Sequence, residues 1–189
     1  MKFLVFAAVS VVMVLAQRDP TTVCAPDTLQ TDFYDFNRDD FGLAVADFTK
    51  NLTSLFFYKS GEKVVYDIAN MQGYLTKKDG ACSQFPIDAT QLTFQCLPAN
   101  AVELTNATTY IGLSSSGIKI TAWEIPLSTS VSIRVAVTDQ TPAIPVLREI
   151  LGAQTKVAGD VLFFTNPSTT IDDTSMLFIP TVCPPAVVV

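Results

Sequence analysis

Histidine is absent from this 189-residue chain, and its absence excludes several common kinds of catalytic site. Histidine is the usual general base near neutral pH and a member of the common serine and cysteine triads. The chain also lacks a glycine-rich phosphate loop and the G-x-S-x-G turn that presents a nucleophilic serine. The neighbouring carboxylates Asp39 and Asp40, or Asp172 and Asp173, would point to opposite faces of a strand rather than form a glycosidase pair. We therefore predict that the chain is not an enzyme.

Basic residues are also scarce, with 12 Lys and Arg against 18 Asp and Glu and a net charge of −6. Nucleic acid is excluded as a partner, because its phosphates require a basic surface. Acidic residues cluster at Asp32, Asp35, Asp39 and Asp40, but without the spacing, glycine and glutamate of an EF-hand loop. This cluster favours a solvated turn, and the sequence assigns no metal ligands.

Long apolar runs are absent except near the start, where Phe3 to Leu15 follows Lys2 and precedes Ala16. A run of this length is shorter than the roughly 20 residues that cross a bilayer, and its flanks are typical of a secretory signal peptide. We predict a signal peptide at residues 1–16, no membrane-spanning segment, and a single domain at residues 17–189. There is no repeat of fixed period and no low-complexity linker.

Four cysteines are present, and their spacing matches no zinc-site pattern. An even number of cysteines in an exported chain predicts disulfides, with three possible pairings. Asn51-Leu52-Thr53 and Asn106-Ala107-Thr108 are N-glycosylation sequons. We therefore predict a secreted, extracellular glycoprotein with disulfide bonds.

Alternating apolar residues indicate a sheet. Ile118, Ile120 and Ala122 alternate with polar residues and with Trp123, which we place on the second face, at a helix contact or a dimer seam. The stretch from Val131 to Val137 alternates in the same way. Counting similar segments gives about ten strands, with a short helix at 146–151 because its apolar residues fall on one helical face. The predicted fold is all-β or β-dominated α+β, with antiparallel strands and one or two short helices.

Several segments in the same order resemble the ependymin-related proteins, a family of secreted glycoproteins. The segments that carry the resemblance are Cys24-Ala25-Pro26, Val64-Val65-Tyr66-Asp67-Ile68, Gly80-Ala81-Cys82, Ile111-Gly112-Leu113, Trp123, Val137-Thr138-Asp139 with Ile144-Pro145-Val146, and Asn166 through Ile171-Asp172-Asp173 to Phe178, Pro180 and Cys183. The resemblance implies curved antiparallel sheets around a deep apolar pocket, similar to bacterial lipoprotein-carrier folds. It also implies glycosylation, association with calcium, a role in cell–matrix adhesion and a possible homodimer.

The resemblance also implies the cysteine pairing, with one departure. It carries over a Cys82–Cys183 bridge. The family commonly has a further cysteine just before the Ile-Pro-Val segment, paired with the first cysteine, but Ala143 stands there in this chain. Because the chain has Cys96 in addition, we predict Cys24–Cys96 as the replacement bridge.

Two hypotheses for the function follow. The first is a secreted protein that binds a fatty acid or other lipid in a β-sheet pocket, since the chain is rich in phenylalanine and concave apolar pockets hold such ligands. Strand parity selects the candidate pocket residues Phe57, Tyr66, Phe94, Tyr110, Ile133, Val135 and Phe163. The alternative is a calcium-associated glycoprotein of the extracellular matrix that has no ligand. The first hypothesis requires no cofactor, and the second requires calcium.

Overall fold

The structure is a computed structural model that describes residues 18–104, 109–112, 117–152 and 161–185. The predicted signal peptide at residues 1–16 and the sequon residue Asn106 lie outside the described residues. The strands are β1 (Thr28–Asp35), β2 (Asp40–Asp47), β3 (Leu52–Phe57), β4 (Lys63–Asp67), β5 (Gln72–Thr76), β6 (Cys82–Pro86), β7 (Val102–Glu103), β8 (Thr109–Ile111), β9 (Ile118–Pro126), β10 (Ser132–Thr138), β11 (Pro145–Leu151) and β12 (Val161–Ser168). Helix within these ranges is limited to the 3-10 turns Pro20–Thr22 and Thr174–Leu177. The prediction of a β-dominated antiparallel fold is confirmed.

The strands form one open antiparallel sheet in the order β6-β5-β4-β3-β2-β1-β12-β11-β10-β9-β7, with β8 paired to β9. Strands β1 to β6 run outward from the centre as one meander, and β9 to β12 return to the centre as a second. The two meanders join where β12 pairs with β1. Because β6 and β7 stand at opposite edges, the chain between them must cross the whole sheet.

The two faces of the sheet can be told apart from the burial pattern of β1. This strand buries every second residue from Leu29 to Asp35, and we call that side the inner face. Directly paired residues of neighbouring strands share a face. The inner-face residues of β2 opposite Phe33, Thr31 and Leu29 are therefore Gly42, Ala44 and Ala46.

The helix predicted at 146–151 is wrong, because this segment is strand β11. Its apolar residues fit one helical face, but they also fit a strand covered on both sides. Val146 and Ile150 are buried, and β11 pairs with β10 on one side and β12 on the other. These long-range pairings override the local pattern. Pro145 is tolerated because it is the first residue of the strand.

Trp123 also differs from its predicted place on the second face. It is fully buried beside Ile125 and Ile133, whereas Ile118 is 54% exposed. The prediction that placed the Ile118 side of β9 inward is wrong. The side that carries Trp123 faces inward, and Ile118 at the start of the strand is open to solvent.

The C-terminal part of the chain covers the outer face at β2 and β3 and one edge of the sheet. Met176 and Leu177 pack on Val45 at the outer face of β2 and β3. The backbone N–H of Gln84 in β6 donates to the carbonyl of Pro184, which covers an otherwise unpaired edge. Among the described residues, no helix is both long and apolar enough to cross a membrane.

Candidate functional site

A cavity of about 420 Å³ lies on the inner face of the sheet. It separates two clusters of buried apolar side chains, one around Trp123 and Ile133 on β9 and β10, the other around Phe33 and Val64 on β1 and β4. Residues of both clusters line its wall, and its strand residues come from β1 to β4 and β9 to β12. The sheet therefore curves so that its two halves face each other across a hollow instead of meeting in one core.

The hollow exists because side chains on the central inner face are small. Ala44 and Ala46 of β2 lie between Thr31 and Leu29 of β1 on one side and Leu55 and Thr53 of β3 on the other. Each alanine, and both threonines, line the cavity. Short side chains at the middle of a curved sheet leave space that the larger side chains of the flanking strands do not reach.

The cover of the cavity is the part of the chain that crosses the sheet after β6, residues 87–97, which we call the crossing segment. It contributes Leu92, Phe94 and Leu97 to the lining, together with polar residues. One end is held by the bond from the Ile87 N–H to the Met71 carbonyl, at 3.0 Å. The other end is held at Cys96, which is bonded to Cys24 with a Cα–Cα distance of 3.9 Å.

Four of the seven predicted pocket residues lie together at this cavity, namely Tyr66, Phe94, Ile133 and Val135. Tyr66 comes from β4 in the first meander, and Ile133 and Val135 come from β10 in the second. Phe94 reaches them from the crossing segment. The topology thus brings together residues that are far apart in the sequence.

The other three predicted pocket residues lie elsewhere. Phe57 is on the inner face but is fully buried beyond the cavity, with its ring 5.1 Å from that of Phe33. Tyr110 is 51% exposed on β8 at the far edge of the sheet. Phe163 is on the outer face, because its neighbours Leu162 and Phe164 are the residues of β12 that line the cavity.

Arg148 is the lining residue that the sequence analysis missed and that differs most from its surroundings. It lies on β11 with Val135 opposite it on β10 and Leu162 opposite it on β12. Its guanidinium donates a hydrogen bond to the carbonyl of Thr90 in the crossing segment. The sequence contains a cue to this residue, because Arg148 interrupts the apolar residues of the strand. In a helix over 146–151, Arg148 would instead lie away from the apolar face.

Tyr66 supplies a second polar group to the wall. Burial raises the pKa of its phenol to about 12, against the opposing influence of the positive charges of Arg148 and Arg38. Tyr66 is therefore neutral at physiological pH. The directly opposite residue on β3 is Thr53, whose buried Oγ1 has no hydrogen-bond partner among the described residues. The hydroxyl of Thr31, by contrast, donates to the Thr165 carbonyl at 2.5 Å.

The cysteines form the two pairs that the resemblance implied or suggested, Cys24–Cys96 and Cys82–Cys183. The Ala143 N–H donates to the Cys24 carbonyl at 2.8 Å, so the position that carries a cysteine in the resembled family adjoins Cys24 as well. Asn51 is exposed in the turn between β2 and β3. In the described ranges, no group of three or more Cys, Asp or Glu side chains is placed to hold a metal ion.

Comparison with known proteins adds information on the fold alone. No protein-family model matches the chain, and no curated protein matches it. Among solved structures, the chain is similar to an uncharacterized conserved protein from Thermus thermophilus, with a TM-score of 0.51 and 12% sequence identity. The similarity covers 85% of this chain and 90% of that one. The chain therefore shares an architecture with that bacterial protein.

Proposed function

We propose that this is a secreted protein that holds a hydrophobic ligand, a fatty acid or another lipid, in the cavity of its curved sheet. The observation that carries the proposal is the cavity itself. Its volume of about 420 Å³ is in the range of roughly 300–1,000 Å³ that is typical of ligand sites, and its wall is mostly aliphatic and aromatic. The resemblance to the ependymin-related proteins supports the same function. The two disulfides support an oxidising compartment.

The cost of an empty cavity supports the proposal as well. Without a ligand, the partly open cavity of about 420 Å³ leaves its mostly apolar wall in contact with water, at a cost of roughly 25 cal/mol per Å² of apolar surface. Larger side chains at Ala44 and Ala46 would remove that cost. A sequence that retains small residues there is best explained by a ligand that fills the space.

Two measurements test the proposal. The first is solvent extraction of the purified, glycosylated protein followed by mass spectrometry, in which we expect a bound lipid. The second is titration of delipidated protein with a fluorescent fatty acid, in which we expect saturable binding of one molecule. If no lipid copurifies and no saturable binding occurs, the proposal is wrong.

A pair of matched variants locates the binding site. Ala44→Phe places a ring in the cavity and is expected to weaken fatty-acid binding at least about tenfold, because the ring occupies the ligand's volume. Ala99→Phe makes the same change in an exposed turn and is expected to bind normally. Equal binding by both variants and the wild type would place the ligand outside the cavity.

A further inference from the structure

We propose that the cavity accepts one hydrocarbon chain of about 14 carbons, and that the small side chain of Ala44 sets this limit. The ligand class is then lipids with a single chain, such as fatty acids and lysolipids, rather than lipids with two acyl chains. This inference rests on the proposed function and adds the size of the ligand and the residue that determines it.

The volume of the cavity limits the amount of hydrocarbon that it holds. A methylene group occupies nearly the same volume as a water molecule in the liquid, about 30 Å³. The cavity of about 420 Å³ therefore has room for about 14 methylene groups. A lipid with two acyl chains of ordinary length carries far more hydrocarbon than this, so one of its chains would stay in water.

The opening of the cavity lies at its cover. Among the residues that line the cavity, those that are exposed are Asp88 and Thr93, and both belong to the crossing segment. Leu92 and Phe94 of the same segment are partly buried and line the apolar interior. A polar head group therefore has a place at the opening, with the chain inside. Carbons that extend beyond the opening stay in water and gain no free energy from burial.

Ala44 is the residue on the opposite side, at the floor, whose size matters most. It lies on the interior strand β2, with Thr31 opposite it on β1 and Leu55 opposite it on β3. Ala44 is half-buried and lines the cavity, so it keeps surface for a ligand on the inner face, whereas Ala46 keeps little. A larger side chain at position 44 would therefore extend into the space that the ligand uses.

The test is a series of saturated fatty acids from octanoate to arachidate, each measured by displacement of a fluorescent probe from the delipidated wild-type protein. Each methylene that becomes buried should raise the affinity about fourfold. We expect this increase to continue up to about 14 carbons and then to level off, because further carbons lie outside the cavity. An increase that continues unchanged to arachidate would overturn the inference.

A pair of matched variants tests the role of Ala44. Ala44→Leu adds an isopropyl group at the floor, so the affinity should level off at chains about three carbons shorter than in the wild type. Octanoate should bind to this variant as it binds to the wild type, because the shorter chain leaves room for the new side chain. Ala99→Leu makes the same change in an exposed turn and should keep the wild-type dependence on chain length.

The possible results separate this inference from the proposed function. If no fatty acid binds saturably, the proposed function is wrong. If fatty acids bind but the affinity of Ala44→Leu levels off at the same length as that of the wild type, the role of Ala44 is refuted. If Ala44→Leu weakens every chain length by the same factor, the substitution acts on the fold, and that role is refuted as well.

Two further measurements keep the inference open to refutation. Should Ala44→Leu fail to fold, Ala44→Val adds a smaller group and should produce a smaller shift in the same direction. Solvent extraction of the purified protein should recover lipids with a single chain. Recovery of two-chain lipids alone would refute the limit on ligand size while leaving the proposed function intact.

Discussion

Removal of the Cys24–Cys96 bridge is expected to have two separate effects, on stability and on ligand affinity. The bridge joins residues 72 positions apart. In the chain-entropy model, closing a loop of that length stabilises the folded state by about 4 kcal/mol. Backbone bonds from Ala25 to Gln95 and from Leu97 to Val23 flank the bridge and persist without it, so the full value is an upper bound. For a domain of this size, the expected fall in melting temperature is about 10 °C.

The effect on affinity follows from the position of the bridge. Cys96 anchors the crossing segment, and Leu92 and Phe94 of that segment form part of the cavity wall. Without the anchor, the cover must be ordered when the ligand binds. Ordering a side chain that is rich in rotamers costs about 0.5–1.5 kcal/mol. With two or three such side chains involved, we expect fatty-acid affinity to fall about tenfold or more.

The second bridge provides the control. Cys82 and Cys183 are 101 positions apart, so the model predicts a stability loss of about 5 kcal/mol when both are replaced by alanine. Neither cysteine lines the cavity, because this bridge ties the C-terminal tail to the edge strand β6. The variant should therefore lose stability as the first does but bind the fatty acid normally.

Both variants can be measured with the same signals. The chain contains a single tryptophan, Trp123, which is fully buried, so its fluorescence reports unfolding in urea. Affinity is measured by fatty-acid titration at a temperature where each variant is folded. Normal affinity in Cys24→Ala/Cys96→Ala would refute the role assigned to the crossing segment. An equal loss of affinity in both variants would show that it only reflects lower stability.

Two further predictions concern polar groups. Thr53→Val should leave the stability of the delipidated protein unchanged or slightly higher, because the Oγ1 of Thr53 has no partner in the part of the chain that the structure describes. Thr31→Val should cost about 1 kcal/mol by removing a hydrogen bond. Equal losses in urea unfolding would contradict this difference. Hydrogen bonds from Lys50 and then Thr49 lower the pKa of the buried Asp47, so the stability that its carboxylate contributes is present above about pH 5 and is lost as the pH falls below about 4. Asp47→Asn should show a smaller loss of stability between pH 5 and pH 3 than the wild type, and an unchanged slope would refute the assignment.

The alternation of residues predicted the strands well but the inward side less well. On β10, Ile133 and Val135 were placed on the side that lines the cavity. On β12, the predicted Phe163 points away from the cavity, since the inward residues there are Leu162 and Phe164. Period-two alternation identifies a strand, but when both faces are apolar it does not identify which face is inside. This choice depends on the strands that pair with it and on what covers each side.

The small residues of β2 were the signal for a hollow that the sequence analysis passed over. Ala44 and Ala46 occupy alternate positions of one strand, and in a half-buried strand such positions usually carry large apolar residues. The predicted aromatic residues Tyr66 and Phe94 line the cavity, but they do not account for its space. The space at the centre exists because the side chains of Ala44 and Ala46 are short.

The cavity and its cover have one origin in the topology of the sheet. Because the two meanders meet at β1 and β12, the chain that leaves β6 at one edge must reach β7 at the other, and the inner face is its path. Small residues under that path leave room for a ligand, and the bridge at Cys96 and the bond from Arg148 to Thr90 hold the path above it. The crossing segment therefore forms the wall of the cavity on the side opposite the sheet.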